Sequence, residues 1–251
     1  MRTSLRTLLP LAVAAAPLAL MPAAQADTGS TYQATLNSIN GSGGSGMLTL
    51  SLSGNTATIN ESWSGLAAEF NNAAYPHVQH IHIGAQGTCP TQSADKNNDG
   101  VISTTEGAGA YGAIGTTLSV SGDTSPDAGT NIKIAPGGSS TDYHRTITLS
   151  QDTVDSLQAG TAVIVVHGLD PATLSKQAQG EKSDLVPSLP LAATSPALCG
   201  ALSSMPSGGV ATGTGSTAGV EDLGLLAGGG ALVAAGGMFF AGRRRAVAKA
   251  S

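Results

Sequence analysis

Short runs in which apolar and polar residues alternate are the feature of this sequence that most restricts its fold. Leu48, Leu50 and Leu52 alternate with threonine and serine, which places every second side chain on one face of a strand. Gly54-Asn55 then predicts a tight turn into a second strand at residues 56–63. Further alternating runs lie at residues 31–39, 78–83, 117–120, 131–134, 145–149 and 162–167. Strands this short, broken by Gly, Asn, Asp and Ser, predict an all-β domain, an antiparallel sandwich or barrel.

Helical periodicity is scarce. Residues 151–157 are predicted to form one short helix, with Ser150 or Asp152 as its N-cap.

The first 26 residues have the pattern of a secretory signal peptide. Arg2 and Arg6 precede an apolar run at residues 8–20, and the segment ends in Ala24-Gln25-Ala26. We expect cleavage before Asp27 and export of the remaining chain. The alternative is an uncleaved N-terminal anchor.

Residues 223–242 contain no charged side chain and are followed at once by Arg243, Arg244 and Arg245. Twenty helical residues span about 30 Å, the thickness of a bilayer core, so we predict a transmembrane helix. The basic tail, residues 243–251, would lie in the cytoplasm and the domain outside the cell. The alternative is a buried helix of a soluble protein.

Residues 200–222 are rich in Gly, Ser and Thr and are predicted to be a flexible spacer between residues 27–199 and the membrane. The spacer, apolar segment and arginines together resemble actinobacterial cell-wall sorting signals. Residues 206–213 are similar to a sortase substrate, which implies attachment to the cell wall by a sortase. Membrane anchoring alone is the alternative.

The exported part is strongly acidic. Between residues 27 and 222 there are five basic and sixteen acidic residues, a net charge of −11. This charge repels nucleic acid and favours cations, so we expect no nucleic-acid partner. Cys89 and Cys199, the two cysteines of the chain, are predicted to form one disulfide outside the cell.

A calcium loop is predicted at residues 95–106, because this window fits the twelve-residue EF-hand pattern. Gly100 permits the sharp turn. The predicted ligands are Asp95, Asn97, Asp99, the carbonyl of Val101, Ser103 and Glu106. The alternative is a polar loop without an ion. Gly107, Gly109 and Gly112 follow closely, so we expect no flanking EF-hand helices and a structural role for the ion.

A second metal site is predicted from the histidines. Strand alternation places His80 and His82 on one face, and His167 ends an apolar run. Three imidazoles suit copper or zinc. His144 is a candidate fourth ligand. The alternative is that these are surface and strand-end histidines.

The chain resembles the copper/zinc superoxide dismutases and the related chordin-type (CHRD) domain over residues 31–200. The resemblance rests on Gly65-Leu66, His80-Ile81-His82, Cys89, Val165-Val166-His167-Gly168 and Cys199-Gly200. It implies an antiparallel Greek-key sandwich, pairing of Cys89 with Cys199 across it, and copper ligation by His80, His82 and His167. It supplies no zinc ligands, because no histidine occurs from Ile83 to Tyr143, and no arginine precedes Cys199 closely.

Two functions follow from these patterns. The first is a calcium-binding CHRD-type module at the cell surface, non-catalytic, acting in binding or structure; the second is an extracytoplasmic copper-binding or metal-handling protein. No motif of a known catalytic type is present. Glu61, Trp63 and Tyr111 are candidates for lining a ligand surface. Neither the ligand nor the oligomeric state is specified by the sequence.

Overall fold

The computed structural model describes residues 29–206, which form an all-β domain with a few short helices. The strands are β1 (Ser30–Ser38), β2 (Ser45–Ser53), β3 (Thr56–Ser64), β4 (Glu69–Phe70), β5 (Ala73–Ala74), β6 (Gln79–Ile83), β7 (Ala113–Thr117), β8 (Ser140–Thr148), β9 (Val163–His167), β10 (Pro196–Ala201) and β11 (Ser203–Ser204). The α-helices are α1 (Thr104–Tyr111), α2 (Gln151–Ala159), α3 (Lys176–Gly180) and α4 (Leu191–Thr194). Short 3-10 helices cover Gln92–Ala94, Pro126–Ala128, Ile132–Ile134 and Pro171–Thr173.

One antiparallel sheet dominates the domain, in the strand order β7-β6-β9-β10-β1-β2-β3-β8, with β11 also paired to β1. The sheet curls so that its two halves share one core, as in a sandwich. Leu48 and Leu50 of β2 and Ile59 of β3 belong to the same buried cluster as Ile81 of β6 and Ile164 of β9. The predicted all-β class and the β2–β3 hairpin are therefore confirmed.

The half of the sheet that contains β6, β9 and β10 is covered on both faces. Ile164 and Val166 point into the shared core, whereas Val163 and Val165 belong to a second cluster with Ile102. This second face, called the outer face below, is covered by α1 and the loop before it, because Tyr111 of α1 belongs to that cluster. Its other buried members are Cys199 of β10 and Ile39. The predicted disulfide is present there, with Cα atoms of Cys89 and Cys199 5.8 Å apart.

Several predicted elements differ in the structure. Residues 131–134 do not form a strand: Ile132–Ile134 is a 3-10 helix, with the side chain of Asn131 accepting a hydrogen bond from the Lys133 amide. The strand predicted at 117–120 lies earlier, at Ala113–Thr117. The strand predicted at 145–149 is longer and begins at Ser140. Helix α2 is confirmed, and Ser150 is its cap.

The predicted spacer begins too early. Gly200 and Ala201 belong to β10, and β11 pairs with β1, so the folded domain extends to at least Ser204. No helix within residues 29–206 has the length and apolar character needed to cross a bilayer. The predicted signal peptide, the transmembrane helix, the basic tail and most of the sortase-like segment lie outside the described residues.

Candidate metal centre

Three of the five histidines meet on the outer face of the main sheet. His80 and His82 lie on β6 and His167 ends β9, the neighbouring antiparallel strand. Because Ile81 points into the shared core, alternation directs both β6 histidines the other way. One ring nitrogen of each histidine lies within 4.8 Å of the other two. All three side chains are at least 97 % buried.

Each of these imidazoles is held by one hydrogen bond to a backbone carbonyl. A carbonyl oxygen only accepts, so the bonded ring nitrogen must carry the proton, and the opposite nitrogen of the neutral ring keeps its lone pair. The acceptors are Gly129 for Nε2 of His80 (2.9 Å), Gly112 for Nδ1 of His82 (2.9 Å) and Thr194 for Nδ1 of His167 (2.7 Å).

The three remaining ring nitrogens are buried and have no hydrogen-bond partner: Nδ1 of His80, Nε2 of His82 and Nε2 of His167. Burial, with a further contribution from the neighbouring imidazoles, lowers the pKa of His80 well below its usual value. Burial lowers the pKa of His82 to about 3 and that of His167 to about 4. The rings are therefore neutral at physiological pH, the state in which imidazole binds a metal ion.

Two of the carbonyl acceptors belong to glycines that the packing requires. Gly112 has a φ of 92°, and a Cβ there would lie 2.0 Å from the carbonyl oxygen of Ile83. A Cβ on Gly129 would lie 2.5 Å from Cδ1 of Ile114 and 3.3 Å from Nε2 of His80. Small residues at both positions let the backbone approach the imidazoles closely.

His77 is a supporting residue that the sequence pattern did not identify. It is fully buried, and its Nδ1 and Nε2 lie 2.9 Å from the carbonyl oxygens of His167 and Ala67 respectively. Its ring stacks on Tyr75, with centroids 4.8 Å apart and planes inclined by 14°. His77 therefore packs against the backbone of His167. His77 lies three residues before His80, and side chains three apart on a strand point to opposite faces. Alternation therefore does not group His77 with His80.

The other proposed site residues are not among the three clustered imidazoles. His144 is exposed on β8, where its Nδ1 lies 2.6 Å from Oδ1 of Asn60, so it is not a fourth ligand in this cluster. Glu61, Trp63 and Tyr111 are each at least 97 % buried and present no exposed surface. Tyr111 borders the histidine cluster, because its ring lies edge-on against His82 with centroids 4.6 Å apart. Alternation along β3 directs Glu61 and Trp63 toward the core.

The loop at residues 95–106 is closed by its own side chains. Oε1 and Oε2 of Glu106 accept hydrogen bonds from the amides of Lys96 (2.8 Å) and Ser103 (2.9 Å). Oδ2 of Asp95 accepts from the amide of Gly100 (3.0 Å), which adopts the predicted turn with φ 94°. Oδ1 of Asp95 is buried without a partner.

The expectation that no helix flanks this loop is wrong on one side. Helix α1 begins inside the window, because Ser103 and Glu106 form a capping box. Gly107 lies within this helix. The ring of Tyr111 packs where a Cβ of residue 107 would be. On the other side there is only the 3-10 helix Gln92–Ala94.

Comparison with known proteins returns no matching family model and no significant match among curated proteins.

Proposed function

We propose that this domain is an extracytoplasmic metal-binding module whose centre is a copper or zinc ion held by His80, His82 and His167. One observation carries the proposal: three buried lone pairs converge while the opposite nitrogen of each ring is engaged by a carbonyl. Unpaired buried polar atoms are costly and rare in proteins. A metal ion would satisfy all three at once.

The donor set fits the two metals named. Three neutral imidazoles suit copper and zinc better than calcium or magnesium, which prefer oxygen. Hydrogen bonds from metal-binding imidazoles to backbone carbonyls are the usual means of fixing their tautomer and orientation. When bound, copper supplies one-electron chemistry, and zinc supplies a Lewis acid.

Metal analysis tests this proposal. The purified protein, incubated with copper or zinc and then dialysed, should retain stoichiometric metal. A His80→Ala, His82→Ala double variant should lose it, whereas His144→Ala, which removes an exposed histidine outside the cluster, should retain it. Full retention of metal by the double variant would contradict the proposal.

We also propose that residues 95–106 bind calcium as a structural ion. Support comes from the unpaired Oδ1 of Asp95, the turn at Gly100 and the inward reach of Glu106 across the loop. Affinities of about 10⁻⁴ to 10⁻³ M suffice outside the cell. Millimolar calcium should raise the melting temperature of wild type, but not that of Asp95→Ala. An equal effect on both proteins would contradict the calcium site.

The order of the strands and the positions of the histidines support the Greek-key, superoxide dismutase-like relationship as the finer fold assignment. The chordin-type module without catalytic activity remains the alternative function. The metal content of the purified protein distinguishes the two functions. Calcium without copper or zinc would favour the chordin-type module. Surface attachment belongs to either proposal, and the disulfide is compatible with it.

A further inference from the structure

A cavity of about 290 Å³ opens directly onto the three histidines. It lies between the outer face of the sheet, helix α1 and the segment that runs from Leu185 to Thr194. Its volume is at the lower end of the range for small-molecule sites, about 300–1,000 Å³. The side chains that form most of its wall are apolar: Phe70, Val78, Ile114, Ile132, Val186 and Leu189.

The side chains that line the cavity supply no positive charge to hold an anion. Among the described residues that line it there is no lysine, arginine, aspartate or glutamate. A carboxylate in contact with the lining is that of Asp184, which accepts hydrogen bonds from the amide and hydroxyl of Thr105. The charge of Asp184 acts on His167, so the protein's own charges near the cavity do not attract an anion. The hydroxyl of Thr104 is already used, because it donates to the carbonyl of Thr194.

The mouth of the cavity is apolar as well. Ile132 and Leu185 both line it, and their side chains are 52 % and 47 % exposed. Large apolar side chains left in water at a concave rim are typical of ligand entrances. Both the wall and the rim thus match an uncharged molecule.

We propose that this cavity binds a small, uncharged and largely apolar molecule that carries one nitrogen or oxygen donor atom. The donor would face the three imidazoles, and the apolar body would fill the cavity. This inference rests on the proposed metal centre for the role of the donor atom, but the apolar contacts are independent of the metal.

Spectroscopic titration tests the inference with defined probes. The protein is loaded with cobalt(II), whose visible absorption responds to a new ligand, and titrated with imidazole, 4-phenylimidazole and azide. Because the phenyl ring would be buried among apolar side chains, 4-phenylimidazole should bind at least about tenfold more tightly than imidazole. Equal affinities, or tighter binding of azide than of 4-phenylimidazole, would overturn the inference.

A second measurement separates this inference from the metal centre. Calorimetry with metal-free protein should still detect 4-phenylimidazole, more weakly, and should not detect imidazole. Binding of 4-phenylimidazole by a protein that takes up no cobalt would support the cavity and contradict the metal centre. An Ile132→Ser, Leu185→Ser double variant should lose most of the preference for 4-phenylimidazole. Met47→Ser, a matched change at an exposed methionine away from this cavity, should keep that preference.

Discussion

His80 donates a 2.9 Å hydrogen bond through Nε2 to the carbonyl oxygen of Gly129, a residue 49 positions further along the chain. The bond occupies Nε2 and leaves Nδ1 of His80 as the ring nitrogen without a partner. Gly129 closes the 3-10 helix Pro126–Ala128, outside the main sheet. The strand places His80 on the outer face, and a loop residue fixes the orientation of its ring.

Substitution of Gly129 should therefore weaken metal binding without removing a ligand. In Gly129→Ala the added Cβ would press on Ile114 and on the ring of His80. Loss of such a supporting contact typically lowers metal affinity by about 10- to 100-fold. Competition with a chromophoric chelator measures the change. Gly180→Ala, where the added Cβ has open space, is the control. Equal affinities for the two variants would contradict this role of Gly129.

The metal-free protein should lose stability as the pH falls. An unfolded histidine takes a proton near pH 6.5, whereas burial keeps the folded-state pKa of His82 at about 3 and that of His167 at about 4. Between about pH 4 and 6.5 the unfolded state binds more protons, so the free energy of unfolding rises with pH.

Urea titrations across this window measure that slope. His82→Gln should lower the slope by up to about 1.4 kcal/mol per pH unit, the contribution of one titrating group. His144→Gln, at an exposed position, should leave the slope unchanged. If His82→Gln and wild type had the same slope, the folded-state pKa of His82 would have to be near its ordinary value.

The buried carboxyl of Glu61 should make the protein less stable as the pH rises. Glu61 lies opposite Tyr143 in the β3–β8 register, and neither its two oxygens nor the hydroxyl of Tyr143 has a hydrogen-bond partner. Burial raises the pKa of Glu61 to about 8, although the nearby side chain of Gln79 lowers this pKa to a smaller extent. Between pH 4.5 and 8 the unfolded state releases a proton that the folded state keeps, so stability falls as the pH rises.

Glu61→Gln, which cannot ionise, should remove this decline and should be more stable than wild type near pH 8. Chemical unfolding at a series of pH values compares the two proteins. Glu69→Gln serves as the control, because Glu69 is exposed. A decline of the same steepness in Glu61→Gln would assign the effect to another group.

The sequence was informative where one face of a strand is buried and the other is exposed. The β2–β3 hairpin follows directly from its alternating leucines. By contrast, β10 was missed, since five of its six residues, Pro196–Gly200, are buried and such a strand shows no alternation. The same double burial explains why the predicted spacer began several residues too early.

The candidate metal site was predictable in its ligands but not in its surroundings. Alternation placed His80 and His82 together, and antiparallel pairing of β6 with β9 brought in His167. The carbonyl acceptors are distant from the ligands in sequence. His77 is close in sequence but three residues from His80, which alternation does not connect to the same strand face. Ser103 and Glu106 have the spacing of a capping box, which predicts the start of α1. The glycines that follow predict no helix, because glycine is a poor helix former.

Glu181 should contribute to the proposed calcium site from outside the twelve-residue loop. Its Oε2 accepts a 3.2 Å hydrogen bond from Nδ2 of Asn97, and partial burial together with neighbouring Asp99 raises its pKa. A cation bound in the loop would relieve the repulsion between these carboxyls. Glu181→Gln should therefore have two effects of opposite sign.

Without calcium, Glu181→Gln should melt at the same or a higher temperature than wild type, because one negative charge has been removed beside Asp99. With millimolar calcium its melting temperature should rise less than that of wild type, because the ion gains less from a neutral amide than from a carboxylate. Calorimetric titration should show several-fold weaker calcium binding. Glu69→Gln is the matched control for the loss of one negative charge. A calcium-dependent rise equal to that of wild type would exclude Glu181 from the site, and a lower melting temperature without calcium would identify its contact with Asn97 as purely structural.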